Sequence, residues 1–226
     1  MTFPSSRPSS SRTVSESFRY RRDTHRYGAH EVILRSVPIG SDVLDVGCAT
    51  GYLGAALRAR RCRAWGLDWD AGAVSIAAPW YEEAHAFDLE ESEQLPWPEQ
   101  LFDVVLAADV VEHLRDPQRA LRLLYRHVRP GGRLIVSVPN VAHISIRLPL
   151  LFGRFTYRPT GILDQTHVRL YTFKTARDLI DSCGFEVERF LGASDHFGAL
   201  LQVPGVASAL RGMLAHNIVV IATPRA

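Results

Sequence analysis

The chain is poor in several things, and each shortage removes a class of function. Cysteine occurs three times, as Cys48, Cys62 and Cys183, with no Cys-x-x-Cys pair. That spacing supports neither a disulfide framework nor a thiolate zinc site. It predicts reduced thiols in a cytoplasmic protein. Net charge is nearly absent: 26 Lys+Arg face 24 Asp+Glu, for a formal +2. That balance gives no electrostatic footprint for nucleic acid, and no Asn-Pro-Pro-Tyr-type base-flipping motif occurs. Lysine is almost missing, with Lys174 alone; the arginine bias reads as genome composition, not function. No apolar run approaches the roughly 20 residues of a membrane span. The N-terminal stretch 1–23 has no apolar segment of secretory type. Its Ser- and Arg-rich, acid-poor composition predicts a disordered leader over 1–15, with a transit peptide as the alternative.

What is present is a chain of 226 residues, 46% hydrophobic, enough to bury one core over 16–226. A helical region with a basic face is expected over about 17–36, carrying Arg19, Arg21, Arg22, His25, Arg26 and Tyr27. Strands are then expected at 42–46, 63–68, 84–87, 102–108, 133–138, 185–191 and 217–222. The fifth is entered through Pro130-Gly131-Gly132. Helices fit 52–60, 72–78, 117–128 and 175–183, and Asp116 before Pro117 is a suitable N-cap. Strands alternating with helices predict an α/β sheet covered on both faces.

The stretch VLDVGCATGYLGAAL, 43–57, runs from an apolar strand through Gly47, Gly51 and Gly54 into a helical pattern. Strand, glycine turn and helix make a floor for a nucleotide-like ligand. A dinucleotide site wants glycine where Ala49 stands. A P-loop wants Lys and Ser/Thr where Tyr52 and Leu53 stand. Asp45, two residues before Gly47, would repel a pyrophosphate but suits a cationic ligand. S-adenosylmethionine, with its sulfonium and ammonium, is such a ligand. Asp68 ends the second strand at the spacing from which an acid reaches a ribose diol. Asp88 ends the third, placed to accept from an adenine amino group, with Trp69 and Leu89 beside these acids to hold the ring. Each Asp alone is more often a turn former or helix N-cap than a ligand contact; Asp45, Asp68, Asp88 and Asp109 in register are not explained as caps.

VLDVGCATG, GLDWD, AFDLEE, LFDVVLAADVVEHLRDP and RPGGRLIVSVPN together resemble the successive motifs of class I S-adenosylmethionine-dependent methyltransferases. The resemblance runs from about 27 to 224. It implies a Rossmann-like, seven-stranded, mostly parallel sheet with the last strand antiparallel. It implies S-adenosylmethionine as cofactor and S-adenosylhomocysteine as product. Carried over, it places Asp45, Gly47, Cys48, Ala49, Gly51 and Tyr52 around the methionine part, and Asp68 at the ribose. It places Trp69, Asp88 and Leu89 at the adenine, and Ala108 and Asp109 beside the methionine part and the methyl group. Ala49 departs from the family's usual glycine, but its side chain is small.

The acceptor is the business of 140–172, a connection long enough to serve as a lid or substrate segment. Within it 144–152, ISIRLPLLF, predicts a kinked helix around Pro149, covering an apolar substrate or packed on the sheet. The following DQTHVRLYT sets His167 near Asp164. An imidazole with a neighbouring carboxylate is the usual general base arrangement. His167 is therefore the expected base, with Asp164 as orienter or substrate contact and His143 as a second candidate. The alternative is that His167 and Arg169 only pin the segment to the body, with Thr172 capping the next helix. Glu112 and His113 invite a metal together with His143 and His167, but the Glu-His pair is ordinary in this family without one, and no metal is expected. PNVAHISIRLPLLFGRF with GILDQTHVRLYT is similar to ubiquinone-type O-methyltransferases and to relatives in sugar and natural-product pathways. It implies a small-molecule acceptor, methylated on a hydroxyl. N-methylation of an amine or amino sugar, or a non-catalytic S-adenosylmethionine-binding role, are the alternatives. The tail 195–217 holds an apolar helix for the sheet or for a homodimer face.

Overall fold

The computed structural model describes residues 25–201 and 208–225. The expected leader over 1–15, the basic positions Arg19, Arg21 and Arg22, and part of the apolar tail lie outside the described residues. Seven strands form one sheet: β1 (Asp42–Val46), β2 (Arg63–Asp68), β3 (Glu83–Ala86), β4 (Phe102–Ala108), β5 (Val128–Pro139), β6 (Phe185–Ala193) and β7 (Asn217–Pro224). Their order is β3-β2-β1-β4-β5-β7-β6. The β1–β5 neighbours are parallel, and β7 enters antiparallel between β5 and β6. This is the fold class that the resemblance implied.

The sheet is apolar on both faces because helices cover both. Alternate residues separate cleanly, as the two-residue period of a strand requires. On one side Leu44, Val46, Val105, Ala107, Leu134 and Val136 meet α4 (Pro117–Tyr125) and α6 (Phe173–Ser182). On the other Val43, Val104, Leu106 and Ile135 meet α1 (Ala29–Ser36) and α2 (Tyr52–Ala59). Asp45 belongs to this second face, a carboxylate in an otherwise apolar layer.

Local chemistry sets the helix ends. Asp70 caps α3 (Ala71–Ala77) by accepting from Gly72 N at 2.8 Å and Ala73 N at 3.2 Å. Asp116 accepts from Arg119 N at 3.0 Å, with Pro117 as the first residue of α4. Thr172 and Thr175 close a capping box at the start of α6. The segment after β5 holds α5 (Ile144–Leu151), none of whose residues is buried, and then irregular chain up to α6. Near the C-terminus come α7 (Gly198–Leu201) and α8 (Ser208–Leu214). Among the described residues no helix is long and apolar enough to cross a membrane.

Two expectations change by more than the end residues of an element. The helical region over 17–36 is helix only in α1 where the chain is described; 25–28 form a turn. The fifth strand does not start after Pro130-Gly131-Gly132 but runs through them from Val128. Gly131 has φ +78°, and a Cβ on Gly132 would lie 2.8 Å from the Arg129 carbonyl and 2.9 Å from that of Asp103. The pairing with β4 shifts register at this point. The glycines make a bulge inside the strand, not a turn ahead of it.

Candidate functional site

In an open α/β sheet ligands bind outside the carboxyl ends of the parallel strands. Here those ends carry the glycine turn, Asp68, Asp88 and Asp109. The turn after β1 is tied to its neighbour by Gly47 N and Cys48 N, both donating to the Leu67 carbonyl at 2.7 and 3.0 Å. It takes three left-handed residues: Gly47 at φ +75°, Ala49 at +46° and Gly51 at +86°. A Cβ on Gly47 would lie 2.5 Å from the Val110 side chain, and one on Gly51 would lie 2.8 Å from the Trp80 ring. Glycine at both positions is therefore steric as well as conformational. Ala49 adopts φ > 0 with a side chain, and its N–H donates to Asp68 Oδ2 at 2.9 Å.

The other Asp68 oxygen accepts from Asp70 N at 2.9 Å. This carboxylate is thus locked between the first turn and its own; the resemblance assigned it to the ribose. Burial raises its pKa, partly offset by these N–H donors. Asp88 accepts from Glu90 N at 2.9 Å. Leu89 is buried beside it, while Trp69 is 60% exposed on the same edge.

Asp45 is 1% exposed. Its Oδ2 accepts from the Tyr81 hydroxyl at 2.5 Å, and that hydroxyl accepts from Gly54 N at 3.1 Å. Its Oδ1 is buried with no hydrogen-bond partner among the described residues. Burial lifts the carboxyl to about 7, against the Tyr81 hydrogen bond and with the help of the Asp68 charge. The same buried, negative surroundings push the Cys48 thiol and the Tyr52 hydroxyl upward. A buried acceptor left unsatisfied by the protein, beside a glycine-built turn, fits a cationic ligand such as S-adenosylmethionine. Tyr81 was not among the residues expected from sequence. It stands 36 positions from Asp45, and only the missing Cβ of Gly54, which would lie 2.5 Å from the Tyr81 ring, makes room for it.

Ala108 ends β4 buried, and Asp109 follows at φ +52°. Asp109 Oδ1 accepts from Ser137 Oγ at 2.7 Å and Asn217 Nδ2 at 3.2 Å, and its N–H donates to the Ser137 carbonyl at 3.1 Å. Three strands, β4, β5 and β7, thereby fix one carboxylate at the edge.

The acceptor-side candidates fall into two groups. His167 sits with His113, ring centroids 4.9 Å apart and edge to face. His167 Nδ1 lies 3.0 Å from the Ile162 carbonyl, and His113 Nδ1 lies 3.2 Å from that of Thr166. Each ring donates from Nδ1 in this arrangement and presents its Nε2 lone pair. Burial, then the neighbouring His167, lowers the His113 pKa. Asp164 accepts from the Thr166 N–H at 2.8 Å and hydroxyl at 2.7 Å, and its carbonyl accepts from His167 N at 3.1 Å. Glu112 stands beside the two rings, and its carbonyl accepts from Val168 N at 2.9 Å and Arg169 N at 3.0 Å. His143 is elsewhere. Its ring packs on His216, and its Nδ1 accepts from Ser145 N at 3.2 Å to cap α5. Its Nδ1 also lies 2.8 Å from the Ser145 hydroxyl.

Comparison with known proteins bears on the family and the fold. A family model described as Methyltransferase domain matches residues 19–189. A probable S-adenosylmethionine-dependent methyltransferase of Mycolicibacterium smegmatis is 31% identical over 175 residues, 75% of this chain and 63% of that protein. A ubiquinone biosynthesis O-methyltransferase of Pseudomonas savastanoi pv. phaseolicola is 34% identical over 110 residues, 45% of each chain. This chain therefore spans about half to two thirds of the length of these relatives. Among solved structures, a SAM-dependent methyltransferase from Aquifex aeolicus superposes with a TM-score of 0.63 at 17% identity, over 92% of this chain and 96% of that one. The chain belongs to the S-adenosylmethionine-dependent methyltransferase family.

Proposed function

We propose that this protein methylates a hydroxyl group of a small molecule, of sugar, natural-product or quinone-like type. Bound S-adenosylmethionine supplies an electrophilic methyl group on a sulfonium. The acceptor oxygen forms the new bond to carbon, the carbon–sulfur bond breaks, and sulfur keeps the electron pair as a neutral thioether. This chain must then hold the cofactor, align the acceptor and dispose of one proton. Asp45, the 47–51 turn and Asp109 are assigned to the methionine part, Asp68 to the ribose, and Trp69, Asp88 and Leu89 to the adenine.

The observation that carries the hydroxyl reading is the pairing of His113 with His167, each presenting an Nε2 lone pair. An amine needs only to be neutral to attack; a hydroxyl must lose its proton, and so needs a group of this kind. We assign hydroxyl activation to His167. Asp164 serves it by bracing the 164–167 turn through Thr166. His143 is not assigned, because its Nδ1 caps α5 and its ring packs on His216, just before β7. The apolar, unburied α5 favours an acceptor with an apolar body.

The test is methyl transfer from labelled S-adenosylmethionine to hydroxyl and amine acceptors, with wild type and His167→Ala. Labelled ether products are expected. In the variant kcat should fall about 10²–10⁴-fold, the usual worth of positioned acid–base catalysis, with S-adenosylhomocysteine affinity unchanged. Label found on nitrogen alone, or undiminished kcat in the variant, overturns the assignment.

A further inference from the structure

We propose that Glu112, His113 and His167 form a binding site for a divalent first-row transition cation, through which the acceptor hydroxyl is activated. One carboxylate oxygen and one ring nitrogen from each histidine lie within 4.8 Å of one another. Glu112 is 1% exposed, and neither of its carboxylate oxygens has a hydrogen-bond partner among the described residues. Its own backbone N–H bears on the carboxylate, but a buried carboxylate with no donor from a neighbouring residue is costly, and native proteins seldom leave one. The other charges bearing on it are those of Asp109 and Asp164, both negative. What the cluster lacks is a positive charge.

The two imidazoles are arranged as ligands are. A metal-binding histidine donates its second N–H to a carbonyl or carboxylate, which fixes the tautomer and aims the ring. Both rings do so here, to Thr166 and Ile162. The segments that supply the cluster are bonded to each other by Val168 N and Arg169 N on the Glu112 carbonyl. The site is therefore held in place by backbone, as a preorganised ligand set requires.

The donor set also chooses the ion. Two imidazole nitrogens and one carboxylate oxygen suit zinc, manganese, iron or cobalt rather than calcium or magnesium, which favour oxygen. Three protein ligands leave coordination positions open. A hydroxyl placed there would have its pKa lowered by the cation, and its proton would pass to solvent. His167 then acts on the hydroxyl as a ligand of the cation. This departs from the expectation of no metal. The cation's role rests on the O-methylation reading, but its binding does not.

The experiment is equilibrium dialysis of the chelator-treated full chain against Zn²⁺ or Mn²⁺, with elemental analysis. S-adenosylhomocysteine binding is followed in parallel to report the fold. Wild type is expected to hold one cation per chain. His113→Ala, His167→Ala and Glu112→Gln should each weaken binding by at least about tenfold while retaining S-adenosylhomocysteine. Co²⁺ gives a second readout on wild type alone: visible absorption bands should appear on binding and vanish when Zn²⁺ competes. Folded wild type that takes up no cation, or uptake unchanged in the histidine variants, overturns the site. Hydroxyl methylation that survives chelation in metal-free protein overturns the cation's role in activating the acceptor, while leaving O-methylation intact. Cation uptake without hydroxyl methylation upholds the site and overturns only its role.

Discussion

Asp45 is the residue on which the cofactor assignment turns. Its carboxyl is lifted to about 7 because it is buried, with Tyr81 as its one donor among the described residues. A folded-state pKa above the ordinary carboxylate value means that the folded protein binds this proton more tightly than the unfolded chain does. The resulting stability is fully present in acid and is lost as pH rises towards 7. A cationic ligand prefers the ionised form, so the sign for binding is the reverse. Affinity for S-adenosylmethionine should increase as pH rises through about 7 and level off above. Below that point it should fall by about tenfold per pH unit. Calorimetric titrations on both sides of neutrality check this, and Asp45→Asn should flatten the profile. A flat wild-type profile would remove Asp45 from the cofactor site. Ala49 makes a separate case. With φ +46° it sits where a side chain costs about 1–2 kcal/mol. Ala49→Gly should relieve part of that strain and raise the denaturation midpoint, less the extra freedom that glycine gives the unfolded chain. A lower midpoint would show that the Ala49 side chain contributes packing that outweighs its strain.

At the scale of elements, the site is built from strand ends and the turns that leave them, and that much is readable in sequence. Asp68, Asp88 and Asp109 were expected at strand ends because the apolar runs stop there, and β2 and β4 have the bounds read from the residues. The bulge in β5 was not legible, since Gly131 and Gly132 look the same whether they turn the chain or let a strand pass close to two carbonyls. The start of α6 was read two residues late, at Thr175; the helix begins at Phe173, with Thr172 as its cap. That cap closes the acceptor segment, and its removal is a clean test of how α6 is anchored. Thr172→Ala should lower stability by about 1 kcal/mol, measured by denaturant unfolding. An unchanged midpoint would mean that the segment ahead of α6, not the cap, holds the helix end.

For the whole molecule, the seven strands and the antiparallel β7 follow the family resemblance, whereas the strand order came only with the structure; alternation of strands and helices alone reached only an α/β sheet. Contacts between residues far apart in the chain were the least legible. Tyr81 finds Asp45 across 36 positions. His113 finds His167 from the far side of α4 and β5, whereas His143, grouped with them by composition, packs against His216. Periodicity reports which face a residue takes, and spacing reports which edge; neither reports which side chains meet. The central claim is the cofactor floor formed by Asp45, the 47–51 turn, Asp68 and Asp88. Its most direct test is calorimetric titration of S-adenosylhomocysteine and S-adenosylmethionine into wild type and Asp68→Ala. Saturable binding by wild type is expected, weakened in the variant by about 1–3 kcal/mol, the cost of leaving a buried polar partner unmatched. Folded wild type that binds neither ligand, or equal affinity in the variant, would contradict it.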